Sequence, residues 1–195
     1  MPKNRDIRTE TTNRKKFPDK SQKQGNPAGI LKFGKQFLIS FKERTVVEGK
    51  TGSITVKVAS ARYESPVAIV LERKQKSNRA LARVIASAKL GFEKEAVIVE
   101  ALQGGYKVIG SLEQVKLKTG MPWASFLLKQ VEEHARENGF KAVKLRRPET
   151  LHYYQAPFVE SEDREKVMSL MNALYYSTAK GMGYRKEKEF FVKEL

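Results

Sequence analysis

The sequence predicts an α/β (α+β) fold: a mixed central sheet flanked by helices, preceded by an antiparallel meander and a disordered basic tail. Three observations carry the prediction. Between residues 37 and 71, apolar side chains alternate or run together in strand-length segments. After Pro122, Trp123, Leu127, Val131 and Ala135 recur every four residues, the stripe of an amphipathic helix. Apolar runs at 96–102 and 140–145 stand on either side of that stripe, and a strand–helix–strand order belongs to a layered α/β fold.

The elements follow in chain order. Residues 1–28 hold three prolines and, beyond Met1, only Ile7 and Phe17 as large apolar side chains. Such a segment cannot bury enough surface to offset the entropy of ordering, so it reads as a disordered tail. Phe37, Ile39 and Phe41 share one face of an expected strand, residues 48–52 make a turn, and Ile54, Val56 and Val58 alternate again. Pro66 breaks the chain before a continuous apolar strand at 67–71, completing a three-stranded antiparallel meander. A helix is expected at 78–90, capped by Asn78, with Leu81, Val84, Ile85 and Ala88 on one face and Gly91 at its end.

In the second half, residues 96–102 (AVIVEAL) read as a buried strand that turns at Gly104-Gly105. Residues 106–117 fit either a short strand (YKVIG) or a short helix (SLEQVKLK). Pro122 suits the first turn of the striped helix and Gly139 its end. A strand at 140–145 and a loop rich in Tyr and Pro follow. Ser161 with Glu162, Asp163 and Glu165 then reads as the capped, acidic first turn of another helix. Val167, Leu170, Met171, Leu174 and Thr178 line the expected inner face of that helix, Gly181 and Gly183 end it, and residues 190–192 form the last strand. The expected organisation is a tail (1–28), a meander plus helix (29–93) and a second half (94–195), with 29–195 forming one compact domain.

Composition narrows the chemistry. The chain has 195 residues, no cysteine and two histidines, His134 and His152. Disulfides, thiolate metal sites and cysteine nucleophiles are excluded, and no metal cofactor is expected. No apolar run approaches the length of a membrane span and the N-terminus lacks an apolar signal core, so a cytoplasmic location without membrane contact is expected. The net charge of +16 attracts polyanions, and RNA, DNA or a ribonucleoprotein is a candidate partner. Candidate contacts are Arg14, Lys15 and Lys16 in the tail, Arg73, Lys74 and Lys76 in the linker, and Arg79 with Arg83 four residues apart on the expected helix. Each of these groups also fits an ordinary solvated surface.

The run A135-R-E-N-G-F-K-A-V-K-L145 resembles the end of the pyrophosphate-binding helix and the following strand of the GNAT superfamily of N-acyltransferases. The ending L174-Y-Y-S-T-A-K-G-M-G-Y184 is similar to that family's last helix and its Gly-aromatic stop. The resemblance covers about half the chain, from Glu95 to Leu195. It implies a GNAT-like sheet, acetyl-CoA or another acyl-CoA as co-substrate, and an amine on a small molecule or protein as acceptor. Pyrophosphate would then meet the helix N-terminus around Gly120, Met121, Trp123, Ala124 and Ser125, with Asn172 on the last helix. The motif departs from the family's at Thr119, which stands for Gln or Arg, and at Pro122, which stands for the first glycine and lacks an N–H. Ala179 stands where the family often carries a tyrosine acid.

Acyl transfer needs a proton acceptor for the amine and a proton donor for the departing thiolate. Glu100, inside the strand 96–102, is the candidate base if it is buried; the other reading is a carboxylate facing solvent. Tyr175 and Tyr176 are candidate acids one turn before Ala179. His152, beside Tyr153 and Tyr154, is a candidate proton shuttle on the loop that borders the cleft in the resembling fold. The competing readings are a catalytically inactive GNAT-like fold and an unrelated α/β module, either binding RNA or DNA through its basic surface and tail.

Overall fold

Helix α1 spans Pro27–Ser40 and is followed by five strands: β1 (Arg44–Glu48), β2 (Gly52–Ala59), β3 (Val67–Gln75), β4 (Ala82–Phe92) and β5 (Ala96–Gly104). Then come α2 (Ile109–Thr119), α3 (Trp123–Glu137), β6 (Ala142–Arg146), a short 3₁₀ turn (Pro148–Thr150), α4 (Ser161–Gly181), β7 (Arg185–Glu187) and β8 (Phe190–Glu194). The computed structural model describes residues 27–50, 52–59, 67–76, 82–105, 108–151 and 161–195.

All the strands belong to one eight-stranded sheet in the order β1-β2-β3-β4-β5-β6-β8-β7. Neighbours are antiparallel except β5 and β6, which run parallel. The meander of the first half and the strands of the second half are therefore one continuous sheet. Two crossovers, β5–α3–β6 and β6–α4–β7, step in the same direction across it, and right-handed crossovers that step the same way put their helices on the same face.

That face carries the core. Ile54 and Val56 of β2, Val67, Ile69 and Leu71 of β3, Leu90 and Phe92 of β4, Val97 and Val99 of β5 and Leu145 of β6 pack together. Phe37 of α1, Val115 of α2 and Leu127, Leu128 and Val131 of α3 cover them. The opposite face sets Ala68, Val70 and Ile98 among ion pairs, Lys57–Glu72 at 2.7 Å and Lys144–Glu93 at 2.6 Å among them. No described helix packs on it.

Two expectations are corrected. Residues 37–41 do not form a strand: Phe37 and Ile39 lie on helix α1, with Phe37 fully buried and Ile39 80% exposed. A helix places residues two apart on nearly opposite sides, whereas a strand would have buried both. The first strand is instead Arg44–Glu48. Residues 82–92 do not form a helix. They are β4, hydrogen-bonded to β3 on one side and β5 on the other, and Gly91 lies within the strand. Ala86, Ala88, Leu90 and Phe92 alternate inward, but small alanines and a bulge at Ile85, itself buried in the core opposite Leu71 and Glu72, hide the period. Long-range pairing on both edges outweighs local helix preference there. Of the ambiguous residues 106–117, those from Ile109 on lie in helix α2, 106 and 107 being outside the described residues, and β7 is a strand that the sequence did not signal.

Candidate functional site

A bulge in β5 organises the site. Opposite β4, Lys89 faces Ala101 while Leu90 faces Val99, so Glu100 is an extra residue with no partner. The alternation shifts there: Val97 and Val99 point into the core, then Leu102 does, with Glu100 between them only partly buried. An extra residue bends a strand and increases its twist. The consequence appears on the other edge of β5. Its pairing with β6 runs from Ala96↔Ala142 to Val99↔Leu145 and stops, although β5 continues to Gly104. Beyond Val99 the pairing ends because β6 itself ends at Arg146, so the β6-facing edge of β5 has no strand partner among the described residues.

Two side chains bridge the opening. On the face opposite the core, Arg146 Nε donates to Glu100 Oε2 at 2.5 Å, and the Arg146 guanidinium lies 5.0 Å from the centre of the Phe190 ring. Gly91 on β4 leaves room for this carboxylate: a methyl group on Gly91 would sit 2.9 Å from Glu100 Oε1. On the core face, Tyr175 of α4 is fully buried, and its hydroxyl accepts the Leu102 N–H at 2.7 Å. A buried N–H without an acceptor costs about 1–3 kcal/mol, so the phenol serves the free strand edge.

Helix α3 begins beside the same opening. The Trp123 indole lies against Gly104 at the end of β5, where a methyl group would stand 3.2 Å from the ring. The first bond of α3 runs from the Phe126 N–H to the Pro122 carbonyl. The N–H groups of Trp123, Ala124 and Ser125 thus precede any internal acceptor, as at every helix start, and no side chain caps them. Gly120 and Met121 are differently employed. Gly120 ends α2 in the left-handed conformation (φ 72°) with its N–H on the Lys116 carbonyl. The Met121 N–H lies 3.3 Å from Thr119 Oγ1. Both N–H groups are thus engaged at the end of α2, the helix that directly precedes the turn.

A second cluster lies just past β6. Arg147 donates to Glu149 and to the Lys188 carbonyl, and the Tyr176 hydroxyl donates to Glu149 Oε1 at 2.9 Å. Burial pushes the Glu149 carboxyl upward, but its own backbone N–H, Arg147 and Tyr176 outweigh this and hold it below the usual carboxylate range. The bond to Glu149 raises the Arg147 guanidinium further. Arg147 Nε and Glu149 Oε2 are both buried with no hydrogen-bond partner among the described residues. Deeper in, Glu132 of α3 binds Lys193 of β8 at 2.7 Å, and the buried Tyr184 phenol is held far above its ordinary range by burial and by Glu132.

The predicted site residues therefore separate. Glu100 and Tyr175 meet at the opening, on opposite faces of the sheet. Glu100 is ion-paired rather than set in an apolar pocket, which is the partly solvated alternative of the sequence reading. Tyr176 points away towards Glu149 and stands edge-on to Phe191. Asn172 is partly buried on α4, three residues before Tyr175. His152 lies outside the described residues. His134 is structural: its ring sits between Phe37 and Phe41, with Nε2 3.0 Å from the Phe37 carbonyl.

The described basic candidates lie on and just after β3 and on β4. Arg73 bonds Ser111, Lys74 pairs with Glu43 and Glu72, and Lys76 approaches Glu48. Arg83 faces Arg73 across two strands instead of lying on a helix. Arg14, Lys15, Lys16 and Arg79 lie outside the described residues. The bond between Arg146 and Glu100 was not visible in the sequence. Glu100 and Arg146 each directly follow the last residue of the β5–β6 pairing, so finding the contact required the register.

Among the described residues, no group of three or more His, Cys, Asp or Glu side chains is placed to hold a metal ion, and no helix is long and apolar enough to cross a membrane. Comparisons with protein-family models, with curated proteins and with solved structures found no match to this chain.

Proposed function

We propose that this chain is an N-acyltransferase of GNAT-like fold that moves an acetyl or other acyl group from acyl-CoA to an amine. One observation carries the reading: β5 and β6 run parallel, pair only as far as Val99 and Leu145, and leave five further residues of β5 without a strand partner on that side. In the resembling fold this gap seats the pantetheine arm. The residues around it fit the co-substrate in part. The N–H groups of Trp123, Ala124 and Ser125 suit a pyrophosphate at the start of α3. The edge of β5 at Leu102 suits an amide.

When bound, acyl-CoA supplies an activated thioester. Glu100 is the group placed to take a proton from the incoming amine, with Arg146 and Phe190 fixing its orientation. Tyr175, whose hydroxyl already stands in the gap, is the group placed to give a proton to the departing sulfur. The buried Tyr175 must turn from Leu102 to do so. Calorimetry with acetyl-CoA on the full chain tests the reading: binding in the micromolar range is expected, and no heat at millimolar ligand contradicts it.

The second reading is a non-catalytic module of the same fold that binds RNA or DNA. It draws on the net charge of +16 and on the way Tyr175 fills the strand edge. Nucleic-acid affinity that falls steeply with salt, with no acetyl-CoA binding, is its signature.

A further inference from the structure

Between α4 and the β7–β8 hairpin lies a cleft of about 400 Å³ lined by Tyr176, Ser177, Lys180, Tyr184, Lys186 and Phe191, together with Ala179. Its floor is aromatic: the Tyr176 ring stands edge-on to Phe191, with centroids 4.9 Å apart at 84°. Its charge is of one sign. Lys180 ends α4, and the Lys186 ammonium lies 5.4 Å from the centre of the Tyr176 ring. Neither lysine makes an ion pair with a described residue, and no carboxylate lines the cleft. Other clefts on the surface differ: those at Gln130–His134, Ala142–Lys144 and Lys188–Phe190 all have glutamates in their walls.

The negative end of α4 does not oppose an anion here. Its last carbonyls at Thr178, Ala179 and Lys180 accept the N–H groups of Met182, Tyr184 and Gly183. A flat ring to stack on tyrosine and a phosphate to meet two ammonium groups is the chemistry that fits both the floor and the rim.

We propose that this cleft binds a nucleotide, with the base against Tyr176 and the phosphate between Lys180 and Lys186. The ligand is either a free nucleoside monophosphate or one unit of a single strand. The site is separate from the β5–β6 opening and does not depend on the acyltransferase reading. Uridine monophosphate and a ten-residue oligouridine are suitable probes because neither contains the adenine of CoA.

In amide NMR spectra of the full chain, uridine monophosphate should shift Ser177, Lys180, Lys186 and Phe191. The variant K180E/K186E should lose at least tenfold in affinity for both probes, and Tyr176→Leu about fivefold. The reversal K35E/K50E, which removes the same charge from exposed sites elsewhere, should cost threefold or less. Oligouridine bound at least tenfold more tightly than the monophosphate identifies a strand as the source; equal affinities identify the free nucleotide. Shifts confined to other residues, or equal losses from the two charge reversals, overturn the proposal.

Discussion

Replacing Tyr175 with Phe isolates the contact between α4 and the free edge of β5. The ring and its packing remain, so no cavity opens, and only the hydroxyl leaves. In the structure that hydroxyl accepts the Leu102 N–H at 2.7 Å, and Leu102 is buried. Because β6 ends at Arg146 and its pairing with β5 stops at Val99, no described strand carbonyl stands there to replace it. The variant leaves a buried donor without a partner, worth about 1–3 kcal/mol. For a domain of this size that corresponds to a fall in Tm of roughly 2–12 °C. Urea denaturation at equilibrium should show a lower midpoint with an unchanged slope. Tyr176→Phe is the comparison: Glu149 keeps Arg147, the site is only partly buried, and the loss should be under about 1 kcal/mol. If Tyr175→Phe matches wild type within about 0.5 kcal/mol, the strand edge is satisfied in another way and the account of the opening fails.

Three further outcomes are expected. Glu100→Gln should lower kcat for acetyl transfer by about 10²–10⁴-fold while leaving acetyl-CoA affinity within a few fold, as measured by steady-state kinetics and calorimetry together. Tyr184, held protonated by burial and Glu132, has a raised folded pKa against an ordinary value of 10.0. Its contribution is constant below pH 10 and is lost as pH rises beyond it, because the unfolded chain ionises first; in Tyr184→Phe the alkaline fall in stability should be shallower by about 1.4 kcal/mol per pH unit. His134→Ala removes the ring between Phe37 and Phe41 and its bonds to α1; it should cost roughly 2–4 kcal/mol and make α1 the first site of proteolysis, and an unaltered cleavage pattern would count against α1 being docked there.

The sequence disclosed best what local pattern decides. The α3 stripe, the strand at 96–102 and the Gly139 stop are all present, because each is written in contiguous residues and burial follows the period. It misread residues 82–92, where alanine-rich helical spacing competes with pairing to β3 and β5, partners that no local window contains. It misread α1 because Phe37, Ile39 and Phe41 satisfy a period of two by chance, while the burial of Phe37 depends on Phe92 and His134 far along the chain. Within the candidate site, Glu100 and Tyr175 were legible as residue types. The bulge, the Arg146 latch and the Leu102 bond were not, since they exist only in the register between strands. Thr119 and Pro122 stand between two helices, Thr119 as the last residue of α2 and Pro122 as the cap that starts α3.

The central claim, that the opening between β5 and β6 receives an acyl-thioester, is tested most directly by amide NMR on the full chain titrated with acetyl-CoA. The account predicts saturable shifts at Leu102 and Gly104 on the edge of β5 and at Trp123, Ala124 and Ser125 at the start of α3. Saturation without shifts at these five amides, or no binding at millimolar acetyl-CoA, would contradict it.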